Sequence, residues 1–117
     1  DANVNITTGS GRDDVRTDFF TRIGLDLNID TDSNDDFVQV QSTIITDDLF
    51  IDVGNGDYEV VINSVIVDDI VINLDDGDDD VLTLAVEQAD QVTIDVDNDD
   101  ILDIDAAGIN QLNVIND

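Results

Sequence analysis

The chain reads as an all-β protein, a right-handed parallel β-solenoid (β-helix or β-roll) of about five coils with about 22 residues per coil. Three observations predict this. Apolar and polar residues alternate over short runs, the period of a strand with one buried face. The runs recur at a nearly constant interval: the first apolar residue after each acidic turn is Val15, Val38, Val60, Leu82 and Leu102, spaced 23, 22, 22 and 20 residues apart. Between the runs lie clusters of Asp, Asn and Gly, which favour turns and tolerate left-handed backbone. A helix would need a 3.6-residue period, and a sandwich of hairpins would not hold a constant interval. Right-handed coiling follows from the strong bias of parallel crossovers.

The whole chain, residues 1–117, forms one domain. Its coils cover approximately 2–24, 25–47, 48–68, 69–90 and 91–110, and a sixth then begins. Each unit opens with a strand whose inward residues are Val4/Ile6, Leu27/Ile29, Leu49/Ile51, Ile70/Ile72, Val92/Ile94 and Leu112/Val114. Asn5, Asp30, Asp52, Asn73 and Asp95 face outward. An acidic turn follows, and then the second strand. A third short strand is expected around Ile23, Ile44/Ile45, Val65/Val67, Val86 and Ile109, closed by a second polar turn at Asp47-Asp48, Asp68-Asp69 and Asp90.

Hydrophobic residues make up 41% of the chain, enough for the core of a single domain. Against three basic residues stand 30 acidic ones, for a net charge of -27, and every acid but Glu59 and Glu87 is aspartate. The shorter acid suits turns and oxygen-rich metal loops, whereas a merely solvated surface would mix both acids. Such a surface is the plain alternative. With no Cys and no His there is no disulfide, no soft-metal site and no thiol or imidazole chemistry. No apolar run approaches a membrane span or a signal peptide, so direct membrane insertion is not expected. The charge also excludes nucleic acid as a partner.

Stacking the coils turns equivalent acids into columns. Two carboxylates about 4.8 Å apart repel by roughly 0.9 kcal/mol even in water. A cation threaded through the turns would relieve this, and Ca²⁺, which accepts carboxylates and backbone carbonyls in irregular geometry, fits the demand with several ions. In register the turns read Gly9-x-Gly11-x-Asp13, Asp32-x-Asn34-x-Asp36, Gly54-x-Gly56-x-Tyr58, Asp76-x-Asp78-x-Asp80 and Val96-x-Asn98-x-Asp100. Asp47, Asp48, Asp68, Asp69 and Asp90 form a second column, read either as turn formers or as further ligands.

GSGRDDV (9–15) and GNGDYEV (54–60) carry a glycine pair ahead of an acidic position. These turns resemble the calcium-binding repeats of RTX type, G-G-x-G-x-D-x-U-x, and the longer repeats of secreted bacterial surface proteins with a Gly-Asp-Gly-Asn-Asp-Thr-Val turn. The resemblance implies a secreted, extracellular or cell-surface protein whose solenoid holds calcium. It assigns the ligand aspartate to Asp13, Asp36, Asp80 and Asp100. Tyr58 breaks the pattern, leaving either Asp57 to supply an oxygen or the site lost. Coils of about 22 residues exceed two nonapeptides, which favours three strands per coil over a flat two-stranded roll.

Arg12, Arg16 and Arg22 all fall in the first coil, and the last coil is acidic. The sequence shows no capping element at either end. Two arrangements satisfy this: copies stack head to tail into filaments, or adjoining repeats of a longer chain continue the solenoid. Pairing of the arginines with Asp13, Asp14 and Asp18 inside the coil is the alternative use of their charge. The function expected is that of a calcium-binding structural module of an extracellular fibre, surface layer or adhesin, not an enzyme. Other readings are a fragment of a polysaccharide-active β-helix enzyme, suggested by the paired carboxylates, and an acidic mineral-binding surface protein.

Overall fold

The computed structural model describes residues 2–18, 20–74, 77 and 80–116. The first two coils each contain three strands: β1 (Val4–Thr7), β2 (Asp14–Thr17) and β3 (Thr21–Ile23), then β4 (Leu27–Asp30), β5 (Phe37–Gln41) and β6 (Thr43–Ile45). Among the described residues the next three contain two each: β7 (Leu49–Asp52) and β8 (Glu59–Asn63), β9 (Asp69–Asn73) and β10 (Val81–Ala85), β11 (Ala89–Val96) and β12 (Ile101–Asp105). A 3-10 turn at Ala106–Gly108 leads into β13 (Ile109–Asn116), the opening strand of a sixth coil.

Every pairing is parallel and joins one coil to the next. The first sheet runs β1-β4-β7-β9-β11-β13, the second β2-β5-β8-β10-β12, and β3 pairs with β6 on the third side. The chain is therefore a parallel β-solenoid, and its register is the one the sequence predicts. Val15, Val38, Val60, Leu82 and Leu102 are successive partners. So are the inward pairs of the first strand, from Val4/Ile6 through Leu112/Val114.

These columns are the core. Leu27, Leu49, Ile70 and Val92 are fully buried, as are Val60, Ile62, Leu82 and Leu84 across from them. Each such side chain contributes about 1.5–3 kcal/mol by leaving water. One column begins with two polar residues, Thr8 and the buried Thr31, whose hydroxyls donate to the Thr31 and Val53 carbonyls of the next coils at 3.2 and 3.3 Å.

The third side departs from expectation. Beyond β6 it contracts to isolated bridges at Ile66 and Gln88, and in the fifth coil it becomes the 3-10 turn. Chain length is the reason. Eight positions separate Gln41 from Leu49, but only seven separate their partners, Asn63 from Ile70 and Ala85 from Val92. The column there runs through the buried Ile23, Ile45, Val67 and Ala89 to Ile109, which is partly buried against the core. Ala89 and Ile109 consequently open the long first-sheet strands β11 and β13.

Candidate functional site

The acidic turns connect the first sheet to the second, and their backbone sets the site. Gly9, Asp32 and Gly54 occupy one left-handed slot (φ 109°, 68° and 67°), and Gly11, Asn34 and Gly56 a second (φ 136°, 100° and 157°). Asp and Asn can replace glycine because their short side chains tolerate this region best among L-residues. Gly54 itself is required, since a Cβ there would run into the Asp32 carbonyl of the preceding coil. Backbone oxygens are thus packed coil against coil along the turn.

Behind these slots stands the predicted aspartate column. The Asp13 N–H donates to Asp36 Oδ1 at 2.7 Å, and the Tyr58 N–H donates to Asp80 Oδ1 at 2.7 Å. Each carboxylate reaches back to the equivalent amide of the previous coil. Asp100 accepts instead from Asp97 of its own turn, at 2.7 Å, and the Asp80 amide also favours its ionised form. Asp36 and Asp80 are buried, and Asp100 is half-buried. In all three the second oxygen, Asp36 Oδ2, Asp80 Oδ2 and Asp100 Oδ1, is buried without a hydrogen-bond partner. A buried unpaired carboxylate oxygen is costly. Burial accordingly raises the Asp80 pKa to about 6, against the opposing pull of the Tyr58 amide, and burial also raises that of Asp100.

The residues fit a hard cation in a particular way. Among the described residues, no three acidic side chains converge as a ready-made metal cluster. What the turns of the second, fourth and fifth coils present is one half-satisfied carboxylate each, and the fourth sets it beside a backbone carbonyl. The clearest cradle lies at Gly77, where the space a Cβ would fill is bordered by the Gly56 carbonyl and by both oxygens of Asp80, each 2.8 Å from that point. Carboxylate and carbonyl oxygens together are the donors calcium accepts. Asp76 and Asp78 lie outside the described residues.

Other predicted positions divide. Asp13 is half-buried at the head of the column. Tyr58 fills its slot with a buried ring, its hydroxyl 3.4 Å from the Asp32 carbonyl. Burial, reinforced by the charges of Asp36 and Asp80, raises the pKa of that phenol. Asp57 is exposed, its amide facing the Asp35 carboxylate at 3.4 Å, and it lines a surface pocket together with Asp36 and Tyr58. In the fifth coil the left-handed slots are absent: β11 runs through Val96, and neither Val96 nor Asn98 has positive φ. This turn is one residue shorter, with Ile94 and Leu102 eight positions apart where Ile51 and Val60 are nine apart.

The second acidic column forms turns. Asp26 Oδ1 accepts from the Asp48 amide at 3.2 Å, Asp48 Oδ1 from Asp69 at 3.2 Å, and Asp69 Oδ1 from Gln91 at 3.1 Å. Asp47, Asp68 and Asp90 stack beside it through backbone bonds, Asp68 to Asp47 at 2.9 Å and Asp90 to Asp68 at 2.7 Å. Burial raises the Asp48 pKa, more than the Asp69 amide lowers it. Asp26 was not among the predicted positions. Its signal was available, because Asn3, Asp26, Asp48, Asp69 and Gln91 each immediately precede the first inward residue of a coil.

Comparison with protein-family models, with curated proteins and with solved structures finds no match.

Proposed function

We propose that the chain is a calcium-binding structural module, a rod whose acidic turns are set by cations, in an extracellular fibre, surface layer or adhesin. The observation that carries this reading is Asp36, Asp80 and Asp100, in the second, fourth and fifth coils, each with one oxygen on a backbone amide and the other buried and unpaired. Bound calcium would supply positive charge there, stabilising the ionised carboxylates. The chain's own part is to hold each aspartate by its amide bond and to bring the Gly56 carbonyl against Asp80. A charge of -27 makes such compensation valuable to the whole molecule.

The reading is structural, not catalytic, and places the module outside the cell, where calcium is plentiful. Its partners would be copies of itself stacked head to tail or adjoining repeats of a longer chain. The two edge strands of the first sheet suit that role, because neither β1 nor β13 contains a charged residue. Charges on an edge strand discourage pairing, and these edges lack them.

Equilibrium dialysis against calcium tests the site. Asp80→Asn is expected to lower the number of ions bound or to weaken binding about ten-fold, equivalent to about 1.4 kcal/mol. Asp103→Asn, which deletes the same charge from an exposed position on the second sheet, is expected to leave binding nearly unchanged. Equal effects of the two would refute a site at the buried column.

A further inference from the structure

The chain shows on its own surface how it holds an arginine. Arg16, on β2, has its guanidinium carbon 4.5 Å from the centre of the Phe37 ring. Its Nε and Nη2 donate to the two oxygens of Asp14 at 2.6 and 2.9 Å, and Nη1 donates to Gln39 at 3.2 Å. The ring attracts the cation electrostatically, and the carboxylate accepts it in a fork.

The outer face of the first sheet assembles the same ingredients without the cation. A groove of about 370 Å³ there has Asn28, Asp30, Phe50, Asp52, Val71 and Asn73 among its lining residues. Strand register places Asn28, Phe50 and Val71 in one column and Asp30, Asp52 and Asn73 in another. The aromatic ring therefore stands among two carboxylates and two amides. Phe50 and Val71 are 38% and 40% exposed, an apolar strip on an acidic surface. One oxygen of each carboxylate is engaged locally, Asp30 Oδ1 with the Asp32 amide at 3.2 Å and Asp52 Oδ1 with the Gly54 amide at 3.4 Å, which fixes the groups in place. The chain's three arginines are all elsewhere, so no strand of this sheet contains a basic residue.

We propose that this groove docks an extended, arginine-bearing peptide segment of a partner protein, with a guanidinium over Phe50 and between Asp30 and Asp52. Charge complementarity selects this occupant. The carboxylates here lack a counter-cation in a strongly anionic molecule, and a neutral sugar would leave them so. Arginine is favoured over lysine because its planar group both stacks on a ring and forks onto a carboxylate. The inference does not rest on calcium in the turns.

The test is fluorescence anisotropy of dye-labelled peptides of equal length and charge, one bearing arginine and one lysine, at physiological ionic strength with calcium present. The arginine peptide is expected to bind about three-fold or more tightly than the lysine peptide. Phe50→Leu, which keeps every charge, is expected to abolish the preference. Asp52→Asn should weaken binding several-fold more than Asp103→Asn, the same charge change on the second sheet. Equal binding of both peptides, indifferent to Phe50→Leu, would overturn the proposal and leave only polyanion attraction. Saturable binding of cellohexaose that depends on Phe50, with no arginine preference, would overturn it in favour of a sugar.

Discussion

Asp80 holds a charge where the fold opposes one. Its side chain is fully buried, one oxygen lacks a partner, and burial lifts its pKa from 3.8 to about 6. Because the folded value lies above the ordinary one, the neutral acid is the form the fold prefers. That stabilising contribution is complete below pH 3.8 and is lost as pH rises through about 6. The cation-free protein is therefore predicted to melt at a higher temperature near pH 5 than near pH 7 (about one unit either side of the shifted pKa). Asp80→Asn keeps an acceptor for the Tyr58 amide while removing the charge, so it should flatten this dependence. Thermal melts followed by circular dichroism in chelator, wild type against variant, measure the difference. A wild-type slope no steeper than that of the variant would show that Asp80 is not the group responsible.

At the scale of the strand, the columns do the stabilising and the turns set their register. Ile72 is fully buried between Ile51 and Ile94, its partners in the neighbouring coils. Ile72→Ala is predicted to cost about 2–5 kcal/mol in urea denaturation, the range for deleting a buried branched side chain. Ile104→Ala, in an edge strand and only partly buried, should cost clearly less. The two main sheets were legible because branched apolar residues recur there at a constant interval, which stacking alone requires. The third side was legible only in part. It has few inward positions per coil, it loses a residue after the second coil, and its corner is turned by Phe20, Ser42 and Ser64 in left-handed backbone (φ 60°, 49° and 55°). None of these residue types announces that conformation. Ile44 illustrates the ambiguity, since it sits beside the buried Ile45 yet is 39% exposed.

Across the whole molecule, the central fact is a parallel stack built under a charge of -27. The repulsion is not spread evenly. The register aligned Asp13, Asp36, Asp80 and Asp100 behind the turn, and it was the resemblance to calcium-binding repeats that singled them out. Sequence could not reveal that Asp36, Asp80 and Asp100 each have one oxygen on an amide and the other orphaned, since that depends on burial and on contacts between coils. Nor could it separate this column from the one at Asp48 and Asp69, where similar residues serve the neighbouring backbone amides. The shortened fifth turn, which retains Asp100 but loses the left-handed slots, follows from a deletion that looks minor in the sequence. The most direct test of the account is the thermal midpoint of the chain during a calcium titration, with magnesium and sodium at matched ionic strength as controls. The account predicts that calcium raises the midpoint beyond both controls, and that the gain disappears when Asp36, Asp80 and Asp100 are all replaced by Asn. A midpoint that responds to ionic strength alone would contradict it, and the acidic turns would then be a solvated surface.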